Sequence, residues 1–280
     1  MTDVEIVKPQ KWFVGVSIFF LVAFWSISCA TINSAHNPEE LARTFNSAII
    51  VVPKHLNSHD PFALKRVLVD EVKNVKKTLE NIPDDSAIPM IIYMHGCGGR
   101  FDYWLYNFLA HNGYAVLAPN SFAREYKPKS CNPKTYTGGL HRGALHFRLA
   151  EANYAHEAIK KMPWVDKKNI FMMGFSQGGI TTAKYPHGGL AGRIILGWTC
   201  NSGWPGYDGI SGPRDVPILA VVASNDPWFR RPSTSGDCSD ALFPRNYIES
   251  IVIDADHHDI HSLTIVKDKI LRFLQSNRRF

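Results

Sequence analysis

The sequence predicts one α/β domain with a mostly parallel β-sheet and helices on both faces. Short apolar runs alternate with stretches of helical length along most of the chain. Strands that are apolar throughout are typical of parallel sheets, because both of their faces are covered. The chain has 280 residues, of which 45% are hydrophobic and 20% charged, so it can bury one sizeable core.

The elements follow from this alternation in chain order. The predicted strands are Ala48–Val52, Met90–Met94, Ala115–Ala118, Ile170–Met173, Ile194–Trp198, Ile218–Ala223 and Ser250–Ile253. The predicted helices are a polar stretch over Asp60–Leu79, then Tyr103–His111, Gly143–Lys161, Gln177–Lys184 and His261–Gln275. In sheets of this class the active site forms at the carboxyl ends of the strands. Residues that carry chemistry are therefore expected directly after each strand.

Residues 1–30 differ from the rest and predict an export leader. Lys8 and Lys11 precede the apolar run Trp12–Ile27, and the small residues Ser28–Ala30 follow it. A basic start, an apolar centre and a small-residue exit are the parts of a secretory signal peptide. At about sixteen residues the run is short for a membrane-spanning helix, which needs about 20.

The form of the leader stays open between a cleaved signal and an N-terminal membrane or lipid anchor. Ser26–Cys29 resembles a bacterial lipoprotein box, in which Cys29 would carry the lipid. Residues 31–280 are then a single folded domain. The protein is expected to be exported, whether periplasmic, envelope-anchored or secreted, and the sequence predicts no particular oligomeric state.

The charge distribution argues against a nucleic-acid partner. The formal net charge is +6, from 31 Lys and Arg against 25 Asp and Glu. Basic residues nevertheless occur at most in adjacent pairs and alternate with acidic ones, which is typical of an ordinary solvated surface.

Four cysteines remain if Cys29 belongs to the leader. They are Cys97, Cys131, Cys200 and Cys238. An even number in an oxidising compartment favours disulfides over a zinc site, and no pair has the CxxC spacing of a metal site. Three pairings are possible on this argument alone.

A candidate nucleophile lies in the motif Gly174-Phe175-Ser176-Gln177-Gly178-Gly179. This G-x-S-x-G pattern follows a predicted strand and precedes a predicted helix, which is the context that a nucleophile elbow requires. The small residues are needed because the serine occupies a strained turn that exposes its hydroxyl. Ser176 is therefore the predicted nucleophile.

A glycine-rich segment, His95–Gly99, follows the strand Met90–Met94. Its backbone N–H groups can point at one spot without obstruction by side chains. We expect the N–H groups of Cys97 and Gln177 to form an oxyanion hole. His95 is expected to fix this loop by hydrogen bonding and to take no chemical part.

The base and its orienting acid are predicted from two further strand ends. Asp226 follows Ile218–Ala223, and His258 lies in the segment after Ser250–Ile253. The order serine, aspartate, histidine along the chain is that of the α/β-hydrolase triad. Three post-strand positions with three matching residue types are far more specific than the serine motif alone.

Alternatives exist for both residues. His257 is the second candidate for the base, and His261 is expected to begin the last helix; Asp237 and Asp240 are weaker candidates for the acid. The segment could also hold a metal through His257, His258, Asp259 and His261. Adjacent histidines point in different directions and no second ligand cluster is evident, so we expect neither a metal nor a cofactor.

With these motifs the sequence resembles the α/β-hydrolases of the dienelactone hydrolase-like group. The matching segments are residues 95–99, 113–122 and 174–179 with Asp226, and the resemblance covers about Pro89 to Leu274. It implies an eight-stranded, mostly parallel sheet and hydrolysis of esters or lactones without a cofactor. Dienelactone hydrolase itself has a cysteine where this chain has Ser176, and residues 31–88 show no clear match.

The strand order that the resemblance implies also ranks the cysteine pairs. Cys97 and Cys131 follow neighbouring strands, and so do Cys200 and Cys238. The expected disulfides are therefore Cys97–Cys131 and Cys200–Cys238.

The sequence thus predicts an exported serine hydrolase that acts on a small-molecule ester or lactone through Ser176, His258 and Asp226. A serine peptidase of the same fold and a catalytically idle binding protein of the cell envelope are the alternatives. Aromatic residues are expected to line an apolar pocket, and the insert between Asn120 and His141 is expected to shape it. These aromatics are Phe101, Trp104, Phe175, Trp228 and Phe229.

Overall fold

The computed structural model describes most of the chain beyond the expected leader. The described residues are 34–53, 65–68, 82–126, 131–138, 142–204, 206–240 and 247–280, with backbone alone for 65–68. The leader predicted for residues 1–30 lies outside them. Within these ranges no helix combines the length and the apolar character that crossing a membrane would require.

Ten strands and five α-helices form the described structure. The strands are β1 (Ile49–Val52), β2 (Lys65–Leu68), β3 (Ile88–Met94), β4 (Ala115–Ala118), β5 (Cys131–Asn132), β6 (Thr137–Gly138), β7 (Val165–Phe175), β8 (Gly192–Leu196), β9 (Ile218–Ala223) and β10 (Ile248–Ile253). The helices are α1 (Pro38–Asn46), α2 (Tyr103–His111), α3 (Arg142–Ile159), α4 (Gln177–Lys184) and α5 (Thr264–Ser276).

Eight of the strands form one sheet in the order β10-β9-β8-β7-β3-β4-β1-β2. The six strands from β10 to β4 run parallel, whereas β1 pairs antiparallel with both β4 and β2. The predicted eight-stranded, mostly parallel sheet is confirmed. Its parallel part brings the carboxyl ends of β3, β7, β8, β9 and β10 to one edge.

Helices cover both faces of the sheet, as predicted. Alternate residues of β3 enter two different cores: Ile91 and Tyr93 pack with α2 and α5, and Met90 and Ile92 pack with α3. The helix α4, which follows β7, packs in a third cluster beside α3. Each central strand is therefore buried on both sides, which explains its apolar sequence.

Several predicted boundaries are wrong for local reasons. The strand β8 ends at Leu196, before the predicted Trp198, because Gly197 turns the chain with φ +60°. The strand β10 lies at the edge of the sheet, so Val252 is exposed although it was predicted to be buried. The helix predicted over Asp60–Leu79 is contradicted at Lys65–Leu68, which forms β2, and its remaining residues lie outside the described ones.

Candidate active site

Ser176 lies at the sharp turn between β7 and α4. Its φ is 56° and its ψ is −118°, a conformation that non-glycine residues rarely adopt. The Ser176 N–H donates a hydrogen bond of 2.8 Å to the carbonyl of Leu196, at the end of the neighbouring strand. The strained turn is therefore held by the sheet, and it carries the serine at the carboxyl edge.

The glycines around Ser176 are required by close backbone approach. A Cβ at Gly178 would lie 1.8 Å from the carbonyl oxygen of Met94, and one at Gly174 would lie 2.0 Å from that of Gly178. Neither position can hold a larger residue without moving the backbone. This packing fixes α4 against β3 and β7 and explains the spacing of the motif.

His258 and Asp226 come together at the same edge. The distance from His258 Nδ1 to Asp226 Oδ2 is 2.6 Å, and the Asp226 side chain is 1% exposed. The other carboxylate oxygen of Asp226 accepts a 2.9 Å hydrogen bond from the Trp228 N–H. Among the described residues, Nε2 of His258 has no hydrogen-bond partner. The carboxylate thus fixes the orientation of the ring through Nδ1.

The other acidic and imidazole candidates have different surroundings. His257 is half exposed, and its Nδ1 lies 3.6 Å from the highly exposed Asp256 carboxylate. Asp237 accepts hydrogen bonds from the Ser239 N–H and the Ser250 hydroxyl, away from His258. Asp240 lies in a 3₁₀ turn, and its side chain is outside the described residues.

His261 does not begin the last helix, so this prediction is wrong. It lies in a 3₁₀ turn, Ile260–Ser262, and α5 begins only at Thr264. Its Nε2 is 2.9 Å from the Asp102 carboxylate, and both side chains are largely buried. Burial would raise the pKa of Asp102, but hydrogen bonds from the His261 ring and the Leu105 N–H lower it.

In the segment 257–261, for which a metal site was considered, the side chains pair with different residues. His258 pairs with Asp226, His261 with Asp102, and Asp259 lies 3.6 Å from Arg100. The described residues contain no group of three or more potential ligands that could hold a metal ion.

The loop after β3 stands beside the serine. Cys97, Ser176 and Gln177 line one cavity, so Cys97 and the start of α4 border the same space. A disulfide joins Cys97 to Cys131, with the Cα atoms 5.7 Å apart. This bond connects the loop to the short hairpin of β5 and β6.

His95 anchors this loop from behind. Its Nδ1–H donates to the Gly96 carbonyl over 2.7 Å, and its Nε2 accepts from the Ser121 N–H at 3.3 Å. Burial and then the positive charge of Arg148 lower the pKa of His95 well below its usual range. The ring is therefore neutral, and its two hydrogen bonds fix the loop.

A buried charge cluster behind His95 was not predicted. Arg148 donates to the His95 carbonyl and to Ser121, and the Ser121 hydroxyl donates to Glu151. Arg124 contacts the same Glu151 at 2.5 Å and is 1% exposed. Arg148 and Glu151 stand three residues apart on the buried face of α3, and that spacing was the available signal.

The second disulfide packs in the apolar cluster that contains Trp198. It joins Cys200, shortly after β8, to Cys238, shortly before β10, with the Cα atoms 5.0 Å apart. Both pairings are those that the strand order of the resemblance implied.

Ser176 lines two cavities. The first, which we call the aromatic cavity, has a volume of about 410 Å³. The residues that line this cavity alone include Ile180, Trp198, Phe229, Arg230 and Arg231. The second, which we call the acidic cavity, has a volume of about 510 Å³. The residues that line this cavity alone include Asp102, Asp256, His258, Asp259 and His261. Five residues line both cavities: Cys97, Tyr136, Ser176, Pro227 and Trp228.

The predicted pocket aromatics divide into two groups. Phe175, Trp228 and Phe229 line one or both cavities. Phe101 instead packs on the His95 ring at 5.5 Å, and Trp104 is 84% exposed on α2, so these two predictions are wrong. The insert after Asn120 shapes both cavities through the residues around Tyr136.

Comparison with known proteins gives one family. The sequence profile of the dienelactone hydrolase family matches residues 77–236, a stretch that includes Ser176 and Asp226 and ends before His258. No curated protein sequence matches this chain significantly.

Solved structures with similar folds have low sequence identity. An acetyl xylan esterase from a Paenibacillus species has a TM-score of 0.51 and 15% identity, over 69% of this chain and 75% of that one. Acetyl xylan esterase 1 from a Thermoanaerobacterium species has a TM-score of 0.50 and 16% identity, over 69% and 76%. Dipeptidyl peptidase 4 from Porphyromonas gingivalis has a TM-score of 0.48 and 16% identity, over 70% of this chain and 32% of that one. The two esterase likenesses establish the fold.

Proposed function

Because this chain belongs to the dienelactone hydrolase family, we propose that it is an exported serine hydrolase that cleaves carboxylic esters or lactones. The single observation that carries the mechanism is the 2.6 Å contact between His258 and the buried Asp226 beside Ser176. A serine hydroxyl becomes nucleophilic when a correctly oriented base removes its proton.

In the first step, Ser176 Oγ attacks the carbonyl carbon of the ester. His258 Nε2 takes the hydroxyl proton, and Asp226 stabilises the imidazolium that results. Ser176 and His258 line the same cavity. A hydrogen bond between a catalytic serine and its base often tightens only when substrate occupies the site.

The tetrahedral intermediate places negative charge on the former carbonyl oxygen. The backbone N–H groups of Cys97 and Gln177 are the proposed donors to this oxygen, since both residues line the cavity next to Ser176. Donors fixed before the reaction need no reorganisation, and loss of one such donor typically slows turnover by about 100- to 1,000-fold. The Cys97–Cys131 disulfide and the hydrogen bond from His95 to Gly96 support this rigidity.

The leaving alkoxide then takes the proton from His258 Nε2 as the carbon–oxygen bond breaks. His258 lines the acidic cavity, so the alcohol is proposed to leave on that side and the acyl group to extend into the aromatic cavity. Water, deprotonated by His258, then attacks the acyl carbon. The bond from that carbon to Ser176 Oγ breaks, His258 returns the proton to Oγ, and the carboxylic acid is released. No cofactor takes part in this sequence.

Export is part of the same proposal. The chain's four cysteines outside residues 1–30 form two disulfides, and disulfides persist in oxidising compartments. The leader predicted for residues 1–30 fits this location.

Steady-state hydrolysis of a short-chain aryl ester tests the proposal. Ser176→Ala and His258→Asn should each lower kcat by at least about 1,000-fold, because each removes a member of one catalytic unit. An equivalent peptide anilide, offered side by side, separates esterase from peptidase activity.

His257→Asn is the matched control, since it removes an imidazole that lines the same cavity as His258 but pairs with an exposed carboxylate instead of Asp226. Its kcat should stay within about threefold of the wild-type value. Unchanged turnover in folded Ser176→Ala, or a larger loss in His257→Asn than in His258→Asn, would refute the assignment.

A further inference from the structure

Two aromatic side chains stand at the junction of the two cavities. Tyr136 and Trp228 line both cavities together with Ser176. Their ring centroids are 5.7 Å apart and their planes meet at 80°. A substrate whose ester bond lies at Ser176 would therefore have both rings within the space around that bond.

Tyr136 is held at this position by an unusual piece of backbone. It lies in the turn between β5 and β6 and has φ +52°, which is unfavourable for a bulky residue. The ring is 47% exposed, so it is not a core residue. Through the Cys97–Cys131 disulfide, its hairpin is tied directly to the proposed oxyanion loop.

Trp228 is tied to the other half of the proposed machinery. Its backbone N–H donates to Asp226 Oδ1 at 2.9 Å, and its ring centroid is 5.7 Å from that of His258. One ring is therefore placed by the oxyanion loop and the other by the acid that orients the base. Both are fixed relative to the carbonyl that Ser176 would attack.

We propose that Tyr136 and Trp228 form an aromatic clamp that selects esters of planar aromatic acids. The proposal rests on the proposed function, which puts the acyl group on the aromatic side. Trp198 and Phe229 continue the aromatic wall beyond the clamp, with their rings 5.7 Å apart. A flat ring can meet these walls in the edge-to-face and offset contacts that aromatic pairs prefer, and a puckered saturated ring of the same size cannot.

The test compares methyl benzoate with methyl cyclohexanecarboxylate, which differ in planarity but little in size. The quantity measured is the ratio of their kcat/KM values, relative to wild type. Tyr136→Ala and Trp228→Ala should each lower this ratio by about three- to tenfold, chiefly through a higher KM for the benzoate. Tyr136→Phe should retain the wild-type ratio, because the ring rather than the hydroxyl makes the clamp.

Two exposed aromatics outside both cavities supply matched controls. Tyr247 precedes β10, at the amino end of that strand and away from the carboxyl ends where Ser176 lies. Trp104 lies on α2. Tyr247→Ala and Trp104→Ala should leave the ratio unchanged. Equal ratios in Tyr136→Ala and wild type, or a wild-type enzyme that cleaves only the cyclohexane ester, would overturn the clamp.

Binding to Ser176→Ala separates the clamp from the proposed chemistry. Calorimetry with the same two esters should show tighter binding of methyl benzoate, and Tyr136→Ala in that background should remove the difference. Preferential binding together with undiminished turnover in Ser176→Ala would refute the serine mechanism and keep the clamp. Equal binding of the two esters would refute the clamp, whatever the fate of the mechanism.

Discussion

At the scale of single residues, the site depends on how closely three backbone segments approach one another at Ser176. The positive φ of that residue is tolerated because Leu196 holds its N–H and because glycines flank it. Gly178 lets the start of α4 touch the end of β3, which brings Cys97 and Gln177 to the same cavity. The geometry of the proposed oxyanion hole therefore depends on the absence of a Cβ atom at Gly178.

Two glycine substitutions test this close approach. In Gly178→Ala the new Cβ would meet the Met94 carbonyl at 1.8 Å, and we expect a loss of about 3 kcal/mol or more in unfolding free energy. Gly98→Ala is the matched control, because a Cβ there meets nothing within 4 Å. Its unfolding free energy should change by no more than about 0.5 kcal/mol. Urea unfolding measures both, and equal stabilities would contradict the packing argument.

The residues predicted from sequence share one property, which is that each lies within five residues of the carboxyl end of a strand. Ser176, Asp226 and His258 could be named because the strand ends themselves were visible. Arg148 shows only its spacing to Glu151 in the sequence and Asp102 shows no such signal, since their partners His95 and His261 are brought to them by tertiary packing. His261 was misread as the start of a helix for the same reason: its contact with Asp102 holds it in the preceding turn.

At the scale of elements, the two disulfides close loops of nearly equal length but join different parts of the fold. The bonded cysteines are 34 residues apart in Cys97–Cys131 and 38 in Cys200–Cys238. Chain-entropy arguments therefore assign each about 4 kcal/mol of stability. The first bond joins two segments that line both cavities, whereas the second bond joins the segments after β8 and before β10, which contribute Trp198 and Thr234 to the aromatic cavity alone.

Cys131→Ser and Cys238→Ser separate the stabilising role from the positioning role. Both variants should lose a similar amount of unfolding free energy, of the order of 4 kcal/mol. Below the melting temperature, Cys131→Ser should also lower kcat for a short-chain ester by about tenfold, because small displacements of positioning groups are costly. Cys238→Ser should retain kcat within about threefold. Identical kcat values in the two variants would contradict the role given to the hairpin.

Elements with strong periodic patterns were predictable, and those that depend on distant partners were not. Tyr103–His111 and Gln177–Lys184 agree with α2 and α4 residue for residue. The hairpin of β5 and β6 has strands of two residues each, too short to show any alternation. It is held by the disulfide to Cys97, which local sequence does not reveal.

At the scale of the whole molecule, the parallel sheet explains how residues distant in sequence meet. Ser176 follows β7, Asp226 follows β9 and His258 follows β10, while Cys97 follows β3. Because these strands run in the same direction, their carboxyl ends share one edge. The sheet therefore gathers at one edge four residues that lie far apart in the sequence.

Active-site labelling tests the central claim that Ser176 is the nucleophile. The wild-type protein is treated with a fluorophosphonate, digested with trypsin and analysed by mass spectrometry. The phosphonyl group should be found on Ser176, in the peptide spanning residues 169–184, and His258→Asn should label far more slowly because the hydroxyl loses its base. A folded wild-type protein that labels at another residue, or a Ser176→Ala variant that labels at the wild-type rate, would contradict the account.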